Sequence, residues 1–155
     1  MSITFQRLKS TSRGLKQVRE LNELYAEAFD EKEMYLENKP SDEYVLKQLA
    51  KKDIIVCTAL SGEQVVAGLT AYVMDKLERE TCEIYIYDLA VDAKFRRKKI
   101  ATHLLEFLIK EAQKLEASAV FIQAEAEDEP AVALYESMGE REVAYHYDIY
   151  IKEKW

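Results

Sequence analysis

The chain has 155 residues, 48% hydrophobic and 33% charged, an ordinary globular composition that excludes a disordered, collagen-like or disulfide-built chain. Twenty-two Lys and Arg against 29 Asp and Glu leave a net charge of −7, which argues against a general nucleic-acid binder and suits a cationic partner. With only 4 Gly and 2 Pro, each is expected to mark a particular place.

The length fits a single domain over residues 1–155, large enough for one substantial core. No stretch approaches the ~20 apolar residues of a membrane span. The opening Met1-Ser2-Ile3-Thr4-Phe5 lacks the regions of a signal peptide. Cys57 and Cys82 lie in apolar runs and are expected to be reduced core residues, without metal-ligand spacing. A cytoplasmic location with no membrane partner is the expectation.

Ile3 to Leu8 alternates and reads as a strand. Thr11 and Ser12 offer N-caps for a helix whose apolar face is Val18, Leu21, Tyr25, Ala28 and Phe29. The polar tract Asp30 to Lys39 reads as loop. Pro40-Ser41-Asp42-Glu43 starts a second helix, with Val45, Leu46 and Leu49 as its buried side. Ile54–Leu60 and Gln64–Met74 are strands joined by the turn Ser61-Gly62-Glu63, too short for anything but an antiparallel pair. Cys82–Val91 is a third strand of this run. Ile100, Leu104, Phe107, Leu108, Ala112 and Leu115 form a long helix face, with His103 off the stripe. Ser118–Gln123 is a strand, parallel to Cys82–Val91 across the helix between them. Asp128–Met138 is a short helix with Pro130 in its first turn and Gly139 past its end. Glu142–Ile151 alternates and is expected to be a final strand. The order is β-α-α-β-β-β-α-β-α-β, a mixed-sheet α+β fold with helices on both faces.

The segment Val91-Asp92-Ala93-Lys94-Phe95-Arg96-Arg97-Lys98-Lys99-Ile100-Ala101 joins a buried strand to the long helix. Free N–H groups at a helix N-terminus can hold an anion. Five cations crowd that end, against the helix dipole. A polyphosphate would reverse the cost; a solvated basic turn is the other reading.

Arg96-Arg97-Lys98-Lys99-Ile100-Ala101 resembles the Arg/Gln-x-x-Gly-x-Gly/Ala loop of the GNAT superfamily of N-acetyltransferases. Asp88-Leu89-Ala90-Val91 resembles that family's splayed fourth strand, and Ala131-Val132-Ala133-Leu134-Tyr135-Glu136-Ser137-Met138-Gly139 its Ala-x-x-Leu-Tyr-x-x-x-Gly segment. Glu83 to Val91, Asp128 to Tyr135, Arg141-Glu142 and His146-Tyr147-Asp148-Ile149 look more narrowly like the type I aminoglycoside 3-N-acetyltransferases. The resemblance implies a GNAT fold, acetyl-CoA as cofactor and a primary amine of a cationic small molecule as acceptor, with a homodimer as an expected assembly.

It also implies a site. Leu89, Ala90, Val91, Arg96, Arg97, Lys98, Lys99, Ile100, Ala101, Asp128, Ala131 and Tyr135 would contact the cofactor. Lys99 stands where the family has glycine; it is expected in the first helical turn with negative φ and its side chain outward. Asp88 is the leading general base and Glu83 the second, because an ammonium must lose a proton before it can attack. The backbone N–H near Leu89 would steady the oxygen that gains charge, Val91 would pair with the pantetheine arm, and Tyr135 would protonate the leaving sulfur. Tyr87, Asp88, Glu127, Glu129, His146 and Asp148 would meet the substrate, and Tyr85, Tyr87, Tyr145 and Tyr147 could line its cleft. The acidic run Ala124 to Glu129 suits a polycation or is simply solvated. Acetylation of another amine and a non-catalytic acyl-CoA-binding domain, suggested by the missing glycine, are the competing readings.

Overall fold

The computed structural model describes residues 2–153. The elements are β1 (Ile3–Arg7), α1 (Ser12–Ala28), α2 (Lys32–Leu36), α3 (Asp42–Leu49), β2 (Ile54–Ser61), β3 (Gln64–Asp75), β4 (Cys82–Val91), α4 (Ile100–Lys114), β5 (Ala119–Ile122) and α5 (Glu129–Glu136). A single 3-10 turn, Ala93–Phe95, precedes α4. The chain divides into two compact units, residues 1–123 and 124–155.

The first unit is a five-stranded sheet in the order β1-β2-β3-β4-β5, antiparallel except for the parallel β4–β5 pair. The apolar runs of β2, β3 and β4 carry most of the core: Ile55, Cys57, Ala59, Val66, Ala67, Leu69, Ala71 and Ile84 are fully buried. Cys57 and Cys82 are buried free thiols. The β2–β3 turn closes on Gly62, whose φ of 60° is open to glycine without strain.

Cross-strand pairs show which helix covers which face. Phe5 sits opposite Ala59 and stacks on Phe107 of α4 at 6.4 Å, so α4 covers the face holding Cys57 and Leu69. Thr58 and Gly68 pair on the other face, under α1. There Gln17 Oε1 accepts from Thr58 Oγ1 at 2.8 Å and from Gln6 Nε2 at 2.6 Å, a fully satisfied polar anchor. Gly68 is glycine because Leu21 lies against it; a Cβ there would stand 2.4 Å from Leu21 Cδ1 and 2.9 Å from the Cys57 carbonyl oxygen.

The helix starts follow their capping residues. Thr11 accepts from Gly14 N–H at 3.0 Å, and Ser41 from Tyr44 N–H at 3.1 Å. Arg19 of α1 bonds Asp42 and the Pro40 carbonyl, each at 2.7 Å, which sets α3 beside α1. The tract expected to be loop, Asp30 to Lys39, contains α2. This five-residue helix has no side-chain cap. Its Tyr35 ring instead packs with Tyr25 at 5.5 Å and Phe29 at 6.0 Å, so packing and not propensity holds it.

In the second unit α5 begins at Asp128, whose carboxylate accepts from Ala131 N–H at 3.3 Å, with Pro130 in the first turn. At its end Gly139 N–H bonds the Tyr135 carbonyl at 2.9 Å. The final strand expected over Glu142–Ile151 is not formed: residues 140–150 have neither strand nor helix. Alternation assigns side chains to faces but supplies no neighbour, and a strand needs one for its N–H and C=O groups.

Candidate active site

The site is built around a defect in β4. Thr70 pairs with Asp88 and Ala71 with Ile86, so Tyr87 is an extra residue with no partner of its own. Such a bulge bends the strand and re-aims side chains. Ile86 stays in the core, whereas Tyr87 and Asp88 both turn to the face of α1 and α2. Asp88 accepts a hydrogen bond from Tyr35 Oη at 2.9 Å. Beside it, Thr70 and Tyr25 join their hydroxyls at 3.0 Å.

Asp88 is half-buried. Burial raises its pKa above that of an ordinary aspartate, and the Tyr35 hydrogen bond works in the opposite direction. Burial and the adjacent Asp88 charge push the Tyr35 hydroxyl well above the usual tyrosine range, so Tyr35 keeps its proton and donates. Burial, and next the Asp88 charge, also raise Tyr72. An open aromatic wall continues from there: Tyr72 meets Tyr87 edge-on at 6.1 Å, Tyr87 meets Tyr85 at 5.8 Å, and Tyr85 stacks on Phe121 at 4.9 Å. Tyr87 is 62% exposed.

β5 pairs only with Glu83–Ile86. Tyr87, Asp88, Leu89, Ala90 and Val91 run on past its end, still paired with β3 on the other side through Asp88–Val91. Their outward backbone groups meet no strand among the described residues, so this stretch can receive an extended chain in strand fashion.

The strand leads into the basic turn. Asp92 caps the 3-10 turn by accepting from Lys94 N–H at 2.8 Å. Arg96 Nε reaches the Val91 carbonyl at 3.4 Å, and Lys98 Nζ lies 5.2 Å from the centre of the Phe95 ring. Lys94, Arg96, Arg97, Lys98 and Lys99 are all exposed, while Ile100 is buried and anchors α4. α4 has no side-chain cap at its start and no acidic residue in its first turn. The free N–H groups there and the cations around them fit a polyphosphate. The expected conformation of Lys99 is corrected: it is the N-cap of α4 at φ 59°, ψ 21°, in the left-handed region, and not in the first helical turn. Arg97 is also left-handed, at φ 62°. The turn needs these conformations to bring the chain from β4 onto the helix axis, and a residue with a Cβ adopts them at a cost of ~1–2 kcal/mol.

A scan of family models matches residues 16–139 to the acetyltransferase (GNAT) family. The chain belongs to the GNAT family. An aminoglycoside acetyltransferase from an uncultured soil metagenomic sample has a similar solved structure: 38% identity, TM-score 0.94, covering 98% of this chain and 100% of that one. A second such enzyme from soil, solved in complex with sisomicin, is 28% identical with TM-score 0.83, covering 96% and 97% of the two chains. Among curated proteins, the ribosomal protein bS18-alanine N-acetyltransferase of Escherichia coli (strain K12) is 29% identical over 90 residues, 58% of this chain and 56% of that one. The chain thus spans about half the length of the curated relatives it matches.

GNAT acetyltransferases use acetyl-CoA, and the uncapped, cation-rich start of α4 in this member fits the pyrophosphate of that donor. The other expected residues are distributed as follows. Glu83 lies five residues before Asp88, about 16 Å along the strand, and is tied to Lys76 Nζ at 3.3 Å. It lines a shallow 470 Å³ cleft with Lys76, Glu78, Arg79 and Ser118, away from the bulge. Asp128 and Ala131 are engaged with each other in the cap of α5. Tyr135, on α5, is half-buried; burial, and then the charge of Asp128, push its pKa up to about 12. Glu127 and Glu129 are exposed, as are His146 and Asp148, which bond each other at 2.9 Å. Tyr145 and Tyr147 are exposed within residues 140–150, which form no strand among the described residues.

Tyr35, which donates directly to Asp88, was not among the residues expected at the site. Its signal was the apolar triplet Met34-Tyr35-Leu36 inside an otherwise polar tract.

Proposed function

We propose that this protein transfers an acetyl group from acetyl-CoA to a primary amine of a cationic small molecule, an aminoglycoside, at its 3-amino position, the whole chain working as one catalytic domain in a reducing, cytoplasmic compartment. The observation that carries the reading is Asp88: a half-buried carboxylate, turned out of the core by the bulge, beside an open strand edge and an uncapped, cationic helix start.

Acetyl-CoA supplies an activated acetyl group as a thioester. Arg96, Arg97, Lys98 and Lys99, with the N–H groups of Ile100 and Ala101, would hold its pyrophosphate. Val91 and Ala90 would pair with its extended arm. Asp88 would take a proton from the substrate ammonium, directly or through one water. Its raised pKa makes it a better base than an exposed aspartate would be. The Leu89 N–H, unpaired on the β5 side, would donate to the oxygen that gains charge. Tyr135 would hold its proton through the neutral range and give it to the departing sulfur. Glu83, ion-paired with Lys76 far along β4, is the weaker candidate base.

Charge supports a cationic acceptor. Residues 124–155 contain nine acidic and three basic side chains, a net −6 of the chain's −7. Glu127, Glu129, His146 and Asp148 belong to this segment. The exposed Tyr87 and the half-buried Tyr85 could offer ring faces and edges to a sugar ring. The similarity to two soil aminoglycoside acetyltransferases favours this class of substrate. A second reading, acetylation of a protein or peptide amine, draws on the similarity to the alanine N-acetyltransferase.

The deciding experiment follows thiol release from acetyl-CoA with a panel of aminoglycosides, polyamines and peptides. Turnover with aminoglycosides, with a product acetylated at the 3-amino group, is expected. Turnover only with peptides supports the second reading, and acetyl-CoA binding without any turnover overturns both.

A further inference from the structure

We propose that Tyr72, Tyr87, Tyr85 and Phe121 form one aromatic platform for the rings of the acceptor, and that Phe121, at its far end, selects a polycation built of linked rings over a linear one. The inference rests on the reading of this site as an acceptor site for a cationic amine and deepens it.

Strand register puts the rings in one row. Tyr72 of β3 pairs with Tyr85 of β4, and Tyr85 with Phe121 of β5. Residues paired across a sheet share a face. Ile84 and Ile86, on either side of Tyr85, are buried on the opposite face. The bulge adds Tyr87 to the row. The rings then follow in the order Tyr72, Tyr87, Tyr85, Phe121, at centroid spacings of 6.1, 5.8 and 4.9 Å. These fall within the ~4.5–7 Å over which aromatic rings support one another. Tyr85 Oη also donates to Gln123 Oε1 at 3.2 Å, which fixes the third ring. Rings so well packed would usually belong to a core, yet Tyr72 and Phe121 are 40% and 39% exposed. An open aromatic row beside a half-buried carboxylate is a binding surface.

The occupant follows from charge and shape. Asp88 comes directly after Tyr87, and its charge adds to burial in raising the Tyr72 hydroxyl. Ring faces are themselves electron-rich and attract ammonium groups. Carboxylate and rings thus favour the same cationic ligand. A sugar ring lays its C–H bonds on such a face, with its amines and hydroxyls toward the rim. With the reacting amine at Asp88, the ring that bears it covers Tyr87, the next covers Tyr85, and a third reaches Phe121. A linear polyamine of equal charge must freeze many rotatable bonds to lie along the row, whereas linked rings arrive preorganised. The platform therefore discriminates by shape where charge alone cannot.

The test uses the full chain. Binding is measured by calorimetry with and without coenzyme A, and turnover by thiol release from acetyl-CoA. The probes are kanamycin B, which has three rings, neamine, its two-ring core, and spermine, a linear polyamine with as many amines as neamine. Wild type is expected to bind neamine at least tenfold more tightly than spermine. Phe121→Thr keeps a strand-forming residue in β5 and leaves Tyr85 on Gln123. It should weaken kanamycin B at least tenfold and neamine less than threefold, raising KM for kanamycin B with kcat and its pH profile unchanged. Phe121→Tyr should restore the lost affinity. Binding in this pattern without turnover would keep the platform and overturn acetyl transfer. Turnover of kanamycin B with a KM that Phe121→Thr leaves untouched would overturn the platform and keep acetyl transfer. Equal affinity for neamine and spermine, equal weakening of both aminoglycosides, or no binding of any probe would each overturn the platform as well.

Discussion

Replacing Tyr35 by Phe removes one oxygen and tests the argument for Asp88 at its most specific point. The ring still packs against Tyr25 and Phe29 at 5.5 and 6.0 Å, so α2 should stay in place. What disappears is the 2.9 Å hydrogen bond to Asp88. A hydrogen bond to a charged group is worth ~1.5–3 kcal/mol, which sets the upper bound on the effect. The bond favours the ionised carboxylate and opposes burial. Without it Asp88 holds its proton to higher pH, and less of it is free to act as base. The acidic limb of kcat/KM against pH should therefore move up, and on that limb kcat/KM should fall about 10–100-fold. Affinity for acetyl-CoA should not change. The assay is thiol release from pH 5.5 to 9 with one fixed aminoglycoside. Substrate ionisation is the same for both proteins, so the difference between their profiles belongs to the enzyme. An unmoved acidic limb, or one that moves down, would refute the role given to this pair.

Three further outcomes follow from the same geometry. Asp88→Asn should abolish most turnover while raising thermal stability at neutral pH: a carboxyl whose pKa is raised by folding stabilises the fold while protonated and loses that contribution as pH rises through the raised value. Melting curves of the two proteins should accordingly converge at acidic pH. Lys99→Gly relieves a left-handed residue; a gain of about 1 kcal/mol, or roughly 2–4 °C in Tm, is expected in thermal unfolding. Gly68→Ala drives a Cβ to 2.4 Å from Leu21 Cδ1 and 2.9 Å from the Cys57 carbonyl oxygen, and should cost ~1–3 kcal/mol in chemical denaturation.

The centre of the sheet was legible because β2 and most of β3 are buried on both faces and read as apolar runs bounded by turn residues. Gly62 and the Ser41 cap fall where such residues should, and a helix between Cys82–Val91 and the next strand leaves a parallel pair as the natural geometry. Three features were not legible, each for a different reason. α2 has neither period nor cap and exists because Tyr35 joins Tyr25 and Phe29. The bulge at Tyr87 follows no residue rule; it is a property of the pairing with Thr70 and Ala71 and cannot be seen on one strand alone. The Glu142–Ile151 alternation was read correctly as a pattern and wrongly as a formed strand, because pairing belongs to two segments and only one was in view. Asp88 was found through a motif. Its partner Tyr35, 53 residues earlier, was hidden by the same non-locality that hid the bulge.

The site is assembled from backbone departures, and their energetics bear on what lysine does where the family has glycine. Arg97 and Lys99 both adopt the left-handed conformation, at ~1–2 kcal/mol each. That sum is a sizeable part of the ~5–15 kcal/mol that holds a typical domain together. A glycine at 99 would relieve half of it but would remove a cation from the uncapped start of α4. A polyanion bound there would meet the free N–H groups, the helix dipole and the side chain of Lys99 together. At a concentration a hundredfold above its Kd, such a ligand stabilises the folded state by ~2.7 kcal/mol, about the amount the two left-handed residues cost. Lysine at this position would thus move stability from the free protein to the bound one. Binding of a polyanion would offset the cost of the two left-handed residues without changing their conformation, and the charge that replaces the glycine would act on that ligand.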